Sequence, residues 1–441
     1  MNFKRYFGTD GIRGKVGKFP ITPYFFLKLG IVIGKILFKN NFKRTIVGVD
    51  TRISSRMLES ALNAGLSSSG ILVMSTGIIS TPAIGYLTKL LKLEVGIVIS
   101  ASHNFFEDNG IKLFLKDGVK LPVALERDIE IALLKPISFW NISYVSSIMR
   151  IGYAHLEYIK FCKSLFPTNF NLKNFKIVLD CANGSTYKIA PKIFKNFNAN
   201  LITIAVCPNG YNINKSCGSM DVRNLQKIVL SEQADLGLAL DGDGDRIIMI
   251  DHFGNKIDGD HILYILAKFY LHHKKKQEGV VGTIMSNNGL LVALKKLNVP
   301  FIKVDVGDKN IIQKLRQKKW RFGAESSGHI VILDSSPVCD GIIASLQVLK
   351  VMMKTHASLF QLCSEIKLLP RIIINVYFDK KNICVKYKEI KVLFFNYVGM
   401  LGPLGRIFFR KSGTEQCFRV IIEDENKSVV TFISNQFKKI F

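Results

Sequence analysis

Asp235-Leu-Gly-Leu-Ala-Leu-Asp-Gly-Asp-Gly-Asp-Arg246 reads as a short apolar strand that empties into an Asp-Gly loop. A brief uncharged run bounded by turn residues is the pattern of a strand buried on both faces, as in a sheet covered by helices. A loop directly after such a strand lies at the carboxyl edge of an open α/β sheet, where ligands bind. Asp241, Asp243 and Asp245 stand at alternate positions, so in an extended loop they project to one side. The intervening glycines remove Cβ bulk, which lets the backbone curl and bring three oxygens around one hard cation. Left without a cation, clustered carboxylates repel and raise one another's pKa values. An EF-hand calcium loop is a poor fit, because Arg246 stands at the sixth position, where glycine is needed, and His252 at the twelfth, where glutamate is needed. Magnesium fits better. A phosphatase using the first of two spaced aspartates as nucleophile shows the same Asp-x-Asp but leaves the remaining motifs unexplained.

The strand-then-loop pattern recurs. Thr22 and Pro23 form the N-cap and first position of an apolar-periodic helix, followed by strand Thr45 to Asp50, a helix opened by Ser54, strand Val73 to Thr76, a helix opened by Thr81 and Pro82, and the apolar run Val95 to Ser100. The pattern restarts at Lys176 to Asp180, with a helix after Gly184, and again at Val280 to Thr283, with a helix after Asn287. A turn at Gly323 to Gly328 precedes strand Ile330 to Leu333. From about Leu369 the reading changes to strands Arg371 to Tyr377, Arg406 to Arg410 and Phe418 to Glu423 before a terminal helix. The expectation is α/β: three similar α/β sheet domains over residues 1–150, 151–255 and 256–366, plus a smaller C-terminal α+β domain over 367–441. No long linker separates them, so they should pack around a shared cleft.

Ser100-Ala-Ser102-His103-Asn104 follows its buried strand directly, so its hydroxyls should face the same cleft as the aspartates. A serine there can carry a phosphoryl group, adding nearly two negative charges and an oxygen that completes a magnesium shell. Ser100 and Ser102 both qualify on position. His103 and Lys112, in or just after the loop, are the local candidates for proton transfer or for neutralising the phosphoryl group.

Three further segments supply binding chemistry. Phe7-Gly-Thr-Asp-Gly-Ile-Arg13-Gly14 is a Gly-rich turn that can set Arg13 against a phosphate. Gly323-Ala-Glu325-Ser326-Ser327-Gly328-His329 places a carboxylate, two hydroxyls and an imidazole on one turn, enough to hydrogen-bond sugar hydroxyls or an amine. Arg410-Lys-Ser412-Gly413-Thr414-Glu415, with Arg419, is the inventory of a phosphate cradle.

The 441-residue chain is long enough for roughly three domains of 100 to 150 residues. Its 61 Lys plus Arg against 34 Asp plus Glu give a formal net charge of +27, which suits a polyanion, whether nucleic acid or phosphorylated metabolite. The excess is spread thinly, with no cationic run longer than Lys274 to Lys276, which argues for a solvated Lys-rich surface and no nucleic-acid partner. Eight cysteines lie far apart, with no C-x-x-C pair, and read as reduced, mostly buried thiols. The amino terminus lacks the apolar stretch of a signal peptide, and segments such as Phe25 to Phe38 are broken by Lys28 and Lys35, short of the ~18 uncharged residues a membrane span needs. A soluble, cytoplasmic protein with no membrane partner is expected.

Together these segments resemble the α-D-phosphohexomutase superfamily, whose members carry a serine loop, a metal loop, a sugar loop and a phosphate loop in this order. Within it, Tyr6-Phe-Gly-Thr-Asp-Gly-Ile-Arg-Gly14, Gly96-Ile-Val-Ile-Ser-Ala-Ser-His-Asn104 and Gly323-Ala-Glu-Ser-Ser-Gly-His329 look most like the phosphoglucosamine mutase branch. The likeness spans nearly the whole chain. It implies a four-domain fold and interconversion of glucosamine 6-phosphate and glucosamine 1-phosphate, a step towards UDP-N-acetylglucosamine and the cell wall. It also singles out Ser102 as the phosphoserine, with glucosamine 1,6-bisphosphate as intermediate and Mg2+ on Ser102, Asp241, Asp243 and Asp245. Arg410, Ser412, Gly413, Thr414 and Arg419 would hold the non-reacting phosphate, and Arg246, Glu325, Ser327 and His329 would line the substrate site, Glu325 and Ser327 reading the sugar. A homodimer is compatible. The alternatives are a phosphomannomutase or phosphoglucomutase of the same superfamily and, from another class, a basic nucleic-acid-binding protein, which has no need of three alternating aspartates. Phe105 and Gln416 replace prolines usual in the family, which should lower stability or turnover without removing a ligand. The stretch between Tyr377 and Arg406 is short and unusually apolar for the family.

Overall fold

The protein is described from a computed structural model, covering residues 6–8, 10–136, 145–272, 278–379, 382–411 and 416–440. Four sheets follow one another along the chain. The first has strand order Ile12–Lys15, Asp108–Leu115, Val95–Ile99, Arg44–Val49, Leu72–Ile78, Ile148–Arg150. Arg44–Val49 pairs in parallel with Leu72–Ile78 and Val95–Ile99, whereas Asp108–Leu115 folds back antiparallel on Val95–Ile99. The second runs Lys256–Ile257, Ile247–Asp251, Leu236–Leu240, Lys176–Asp180, Asn200–Ile204, and the third Phe301–Val304, Val280–Thr283, Phe322–Ala324, Ile330–Ile332. The last is a three-stranded antiparallel sheet of Arg371–Tyr377, Cys417–Glu423 and Arg406–Lys411.

Local chemistry explains where many elements begin. Thr22 accepts a hydrogen bond from the Phe25 amide to cap Pro23–Lys39, Asn287 accepts from Gly289 to cap Asn288–Lys296, and Asp340 accepts from Ile343 to cap Gly341–Thr355. Val95–Ile99 and Leu236–Leu240 are buried throughout, which is why both read as uninterrupted apolar runs. Three expectations need correction. The helix assigned to Ser54 starts at Ile53, with Arg52 at the N-cap making no side-chain cap bond. The turn at Gly323 begins as strand Phe322–Ala324, paired with Ile330–Ile332, so the loop proper is a hairpin tip from Glu325. The apolar stretch after Tyr377 contains the helix Ile383–Tyr397.

One continuous hydrophobic cluster runs from Ile46 and Ile84 of the first unit through Ile177 and Leu238 of the second to Val280 and Leu346 of the third. The first three units therefore share a core, while the C-terminal sheet has its own around Val376, Val420 and Ile433. It docks through polar contacts: the Asn288 amide donates to Glu423 Oε1 at 2.7 Å and Arg406 donates to the Ser286 carbonyl at 2.6 Å.

In the first unit, helices Pro23–Lys39 and Ile53–Ser68 cross at glycine on glycine. A Cβ on Gly65 would stand 2.3 Å from the Leu27 carbonyl oxygen, and one on Gly30 2.3 Å from that of Leu62. Gly65→Ala should therefore cost about 1–3 kcal/mol through forced separation of the helices. Thermal or denaturant unfolding checks this, and an unchanged midpoint would show that the pair separates freely.

Candidate active site at the meeting of four loops

Ser102 ends up buried at the carboxyl end of Val95–Ile99 with φ at 53°, a left-handed conformation that a non-glycine residue adopts only when its surroundings enforce it. The enforcement is visible. Ser102 donates its amide to Ser100 Oγ at 2.9 Å, and its carbonyl accepts from Arg52 Nη2 at 3.2 Å and Asn214 Nδ2 at 2.9 Å. Arg52 is itself buried and ion-paired to Asp50. The two hydroxyls thus separate in role: that of Ser100 is turned into the loop, while Ser102 Oγ donates to Asp241 Oδ2 at 2.6 Å. His103 Nδ1 lies 3.4 Å from Ser102 Oγ. Burial, together with Arg246, Arg13 and His329, pushes the His103 pKa down to about 2, so its imidazole is neutral.

The metal loop presents Asp241, Asp243 and Asp245 with ligand oxygens all within 4.8 Å of one another. Burial and the two neighbouring carboxylates raise Asp241 to about 8. Lys112 Nζ bridges Asp243 Oδ2 and Asp245 Oδ2 at 2.8 Å each and Asp10 Oδ2 at 3.1 Å. Burial opposes its charge, but these three carboxylates win and hold its pKa well above the usual lysine value. Asp243 Oδ1 is buried with no hydrogen-bond partner among the described residues. A hydroxyl and three carboxylates, one of them with an orphaned buried oxygen, make a donor set that fits a hard divalent ion.

Above this charge cluster a cavity of roughly 470 Å³ opens, walled by Arg13, His103, Arg246, Glu325, Ser327, His329, Arg410 and Arg419 among others. Arg13 is ion-paired to Asp10 and reaches towards the Ala101 carbonyl at 3.5 Å. The Glu325–His329 turn is zipped to the aspartate loop: Ile247 donates to the Gly328 carbonyl at 3.0 Å, and His329 Nε2 lies 3.1 Å from Asp245 Oδ1 and 3.2 Å from Arg246 Nε. His329 Nδ1 is 2.7 Å from Glu325 Oε2. Burial and Arg246 work against charge on His329, but Asp245 and Glu325 outweigh them and raise its pKa to about 10. Glu325, despite burial, is drawn down to about 2 by His329 and also accepts the Gly307 amide at 2.7 Å.

On the far wall Arg410 and Arg419 are direct cross-strand partners. Like charges so placed repel, and burial followed by Arg419 lowers the Arg410 pKa, a pairing that suits a bound anion between them. Ser412, Gly413 and Thr414 lie outside the described residues. The remaining thirteen predicted positions converge on one place. Phe105 is exposed beside the serine loop, and the Gln416 carbonyl accepts from the Phe378 amide at 3.1 Å.

Sequence reading missed the residues that hold the loops: Arg52, Asn214, Lys120, which joins Asp10 to Asp308 of the third unit, and Arg371, which lines the cavity. Arg52 was findable, since it follows strand Arg44–Val49 at the same sheet edge as the serine loop. Lys112→Met should cost about 3–5 kcal/mol, because it leaves buried carboxylates without their cation. Melting in a chelator checks this, with partial recovery on adding a divalent ion; an unchanged melting point would show that the carboxylates are neutralised some other way.

The phosphoglucomutase/phosphomannomutase family matches in three parts: alpha/beta/alpha domain I over residues 4–137, domain II over 154–254 and domain III over 258–368. The phosphoglucosamine mutase of Buchnera aphidicola subsp. Baizongia pistaciae is 55% identical over 95% of this chain and 92% of its own length. That of Proteus mirabilis is 51% identical over 99% and 98%. Among solved structures, a phosphoglucomutase/phosphomannomutase family protein from Burkholderia thailandensis superposes with a TM-score of 0.81 at 19% identity, covering 100% of this chain and 97% of that one. An N-acetylphosphoglucosamine mutase from Aspergillus fumigatus, in complex with GlcNAc-6P and magnesium, gives 0.66 at 18% identity over 98% and 94%. With three family domains in order and relatives above half identity along nearly their whole length, the chain belongs to the phosphoglucosamine mutases of the phosphoglucomutase/phosphomannomutase family.

Proposed function

We propose that the protein interconverts glucosamine 6-phosphate and glucosamine 1-phosphate through a phosphoserine at Ser102, as a cytoplasmic isomerase on the route to UDP-N-acetylglucosamine and peptidoglycan precursors. The observation that carries this reading is the strained, pinned Ser102 whose hydroxyl faces Asp241 at 2.6 Å, next to a cationic sugar-sized cavity. In the first half-reaction a sugar hydroxyl oxygen bonds to phosphorus as the Ser102 Oγ–P bond breaks; the hydroxyl proton passes to a base, for which the neutral His103 is the local candidate, and a proton returns to the departing Oγ, while Lys112, held as a cation by its carboxylates, neutralises the phosphoryl group. The resulting glucosamine 1,6-bisphosphate turns over in the cleft and returns its other phosphoryl group to Ser102. Mg2+ on Ser102, Asp241, Asp243 and Asp245 would supply positive charge against the transferring phosphoryl group.

The chain's own residues divide the remaining work. Arg13 and Lys112 offset charge beside the serine. Arg410 and Arg419, with Ser412, Gly413 and Thr414, grip the phosphate that does not react, and Glu325 and Ser327 read the sugar beside His329 and Arg246. Units divided near residues 150, 255 and 366 would then contribute one loop each.

Incubation with glucosamine 1,6-bisphosphate and Mg2+ should add one phosphate, mapped to Ser102 by peptide mass spectrometry and absent from Ser102→Ala, whose turnover should fall on the order of a thousandfold or more. Label on Asp241 would point instead to a phosphatase. Glucosamine 6-phosphate should be turned over with kcat/KM at least about tenfold above mannose or glucose phosphates. The reverse order would assign the chain to phosphomannomutase or phosphoglucomutase activity.

A further inference from the structure

The metal loop is gripped from outside its own unit. Helix Thr81–Leu90, which belongs to the first unit, meets it end-on: the Thr81 amide donates to the Asp243 carbonyl at 2.9 Å and Thr81 Oγ1 donates to Asp243 Oδ2 at 2.6 Å. Both residues are buried, Thr81 at 2% exposure and Asp243 at 0%. Oδ2 also receives Lys112 Nζ at 2.8 Å, so this one oxygen takes two donors. Its twin, Oδ1, is equally buried and has no partner among the described residues. A carboxylate held this way has a fixed orientation: one oxygen is committed to the protein and the other is presented. Thr81 is the member of that pair of donors that brings no charge of its own.

We propose that Thr81 is a positioning residue for the divalent ion. By holding Asp243 Oδ2 it turns Oδ1 towards the site, and because it sits in the serine-bearing unit it ties the ion's affinity to the docking of that unit on the metal loop. Partners that orient a ligand typically change metal affinity by 10–100-fold when removed. The simpler role for Thr81 is packing at the first turn of its helix, and valine, of nearly the same shape, preserves that packing while deleting the hydroxyl.

The inference rests on the three aspartates holding a divalent ion, and the test separates the two claims. Mn2+ binding to the full-length, substrate-free protein is titrated by calorimetry and by the electron paramagnetic resonance signal of free Mn2+, for wild type, Thr81→Val and Thr81→Ser. Thr81→Val should raise Kd at least about tenfold, whereas Thr81→Ser, which keeps the hydroxyl, should stay within about threefold of wild type. Equal affinity for wild type and Thr81→Val, or equal weakening by valine and serine, overturns the role of Thr81 and leaves the metal site standing. A wild-type protein that binds no Mn2+ overturns both. Should valine impair folding, Thr81→Ala read against Thr81→Ser isolates the hydroxyl in the same titration, with the same criteria.

Discussion

Negative charge packed dry at the sheet edges is the constraint on which the rest of the structure depends. Asp241, Asp243 and Asp245 are buried, and Asp10 lies against them through Lys112. A buried carboxylate without a partner costs several kcal/mol, so such a cluster persists only where cations are brought to it. Here they come from other parts of the chain. Lys112 rides on strand Asp108–Leu115 of the first unit, while Lys120 ties Asp10 to Asp308 at the start of helix Asp308–Lys318 in the third. Neutralising the metal loop therefore also docks the units that must cooperate around it.

A short way up the cleft arginines gather among the carboxylates. Arg13, Arg246, Arg410, Arg419 and Arg371 all contribute to the cavity wall, above the carboxylates of the floor. Such a wall suits a ligand with phosphates at two ends. The +27 balance of the whole chain is a separate matter. Exposed lysines act over a Debye length of about 8 Å at physiological salt, whereas a phosphate is selected by the fixed geometry of a few guanidinium groups.

The sequence was legible where local rules act alone. Strands Lys176–Asp180, Val280–Thr283 and Arg371–Tyr377 lie where their apolar and β-branched runs put them, and Thr22 and Asn287 cap the helices their side chains announce. Ser54 misled because its hydroxyl has tertiary work: it accepts from Asn109 Nδ2 at 2.9 Å, and Ser55 donates to Asp50. Helix Ile383–Tyr397 buries Ile390 and Leu393 and leaves Phe395 exposed, so its apolar residues form no clean periodic stripe. Arg52 apart, the supporting residues of the site were beyond reach for another reason. Thr81 and Asp243 are 162 positions apart and Asn214 and Ser102 are 112 apart, separations at which no spacing rule operates.

A site assembled from separate units must hold its groups within about half an ångström, which flexible tethers cannot do. The contact between serine loop and metal loop shows how little slack there is: a Cβ on Gly242 would stand 2.6 Å from the Ser102 carbonyl oxygen, so the two backbones touch. Such an approach is reproducible only if the sheets beneath cannot shift. The shared core supplies this, because Ile84, Leu179 and Ile247 belong to one cluster that continues under the third unit. Close-packed interiors have low compressibility, so displacement of one sheet edge would have to open voids in the others. The loops at Ser102, Asp241 and Glu325 thus rise from sheets packed on one shared cluster. The pair Arg410 and Arg419 projects instead from a sheet with a core of its own.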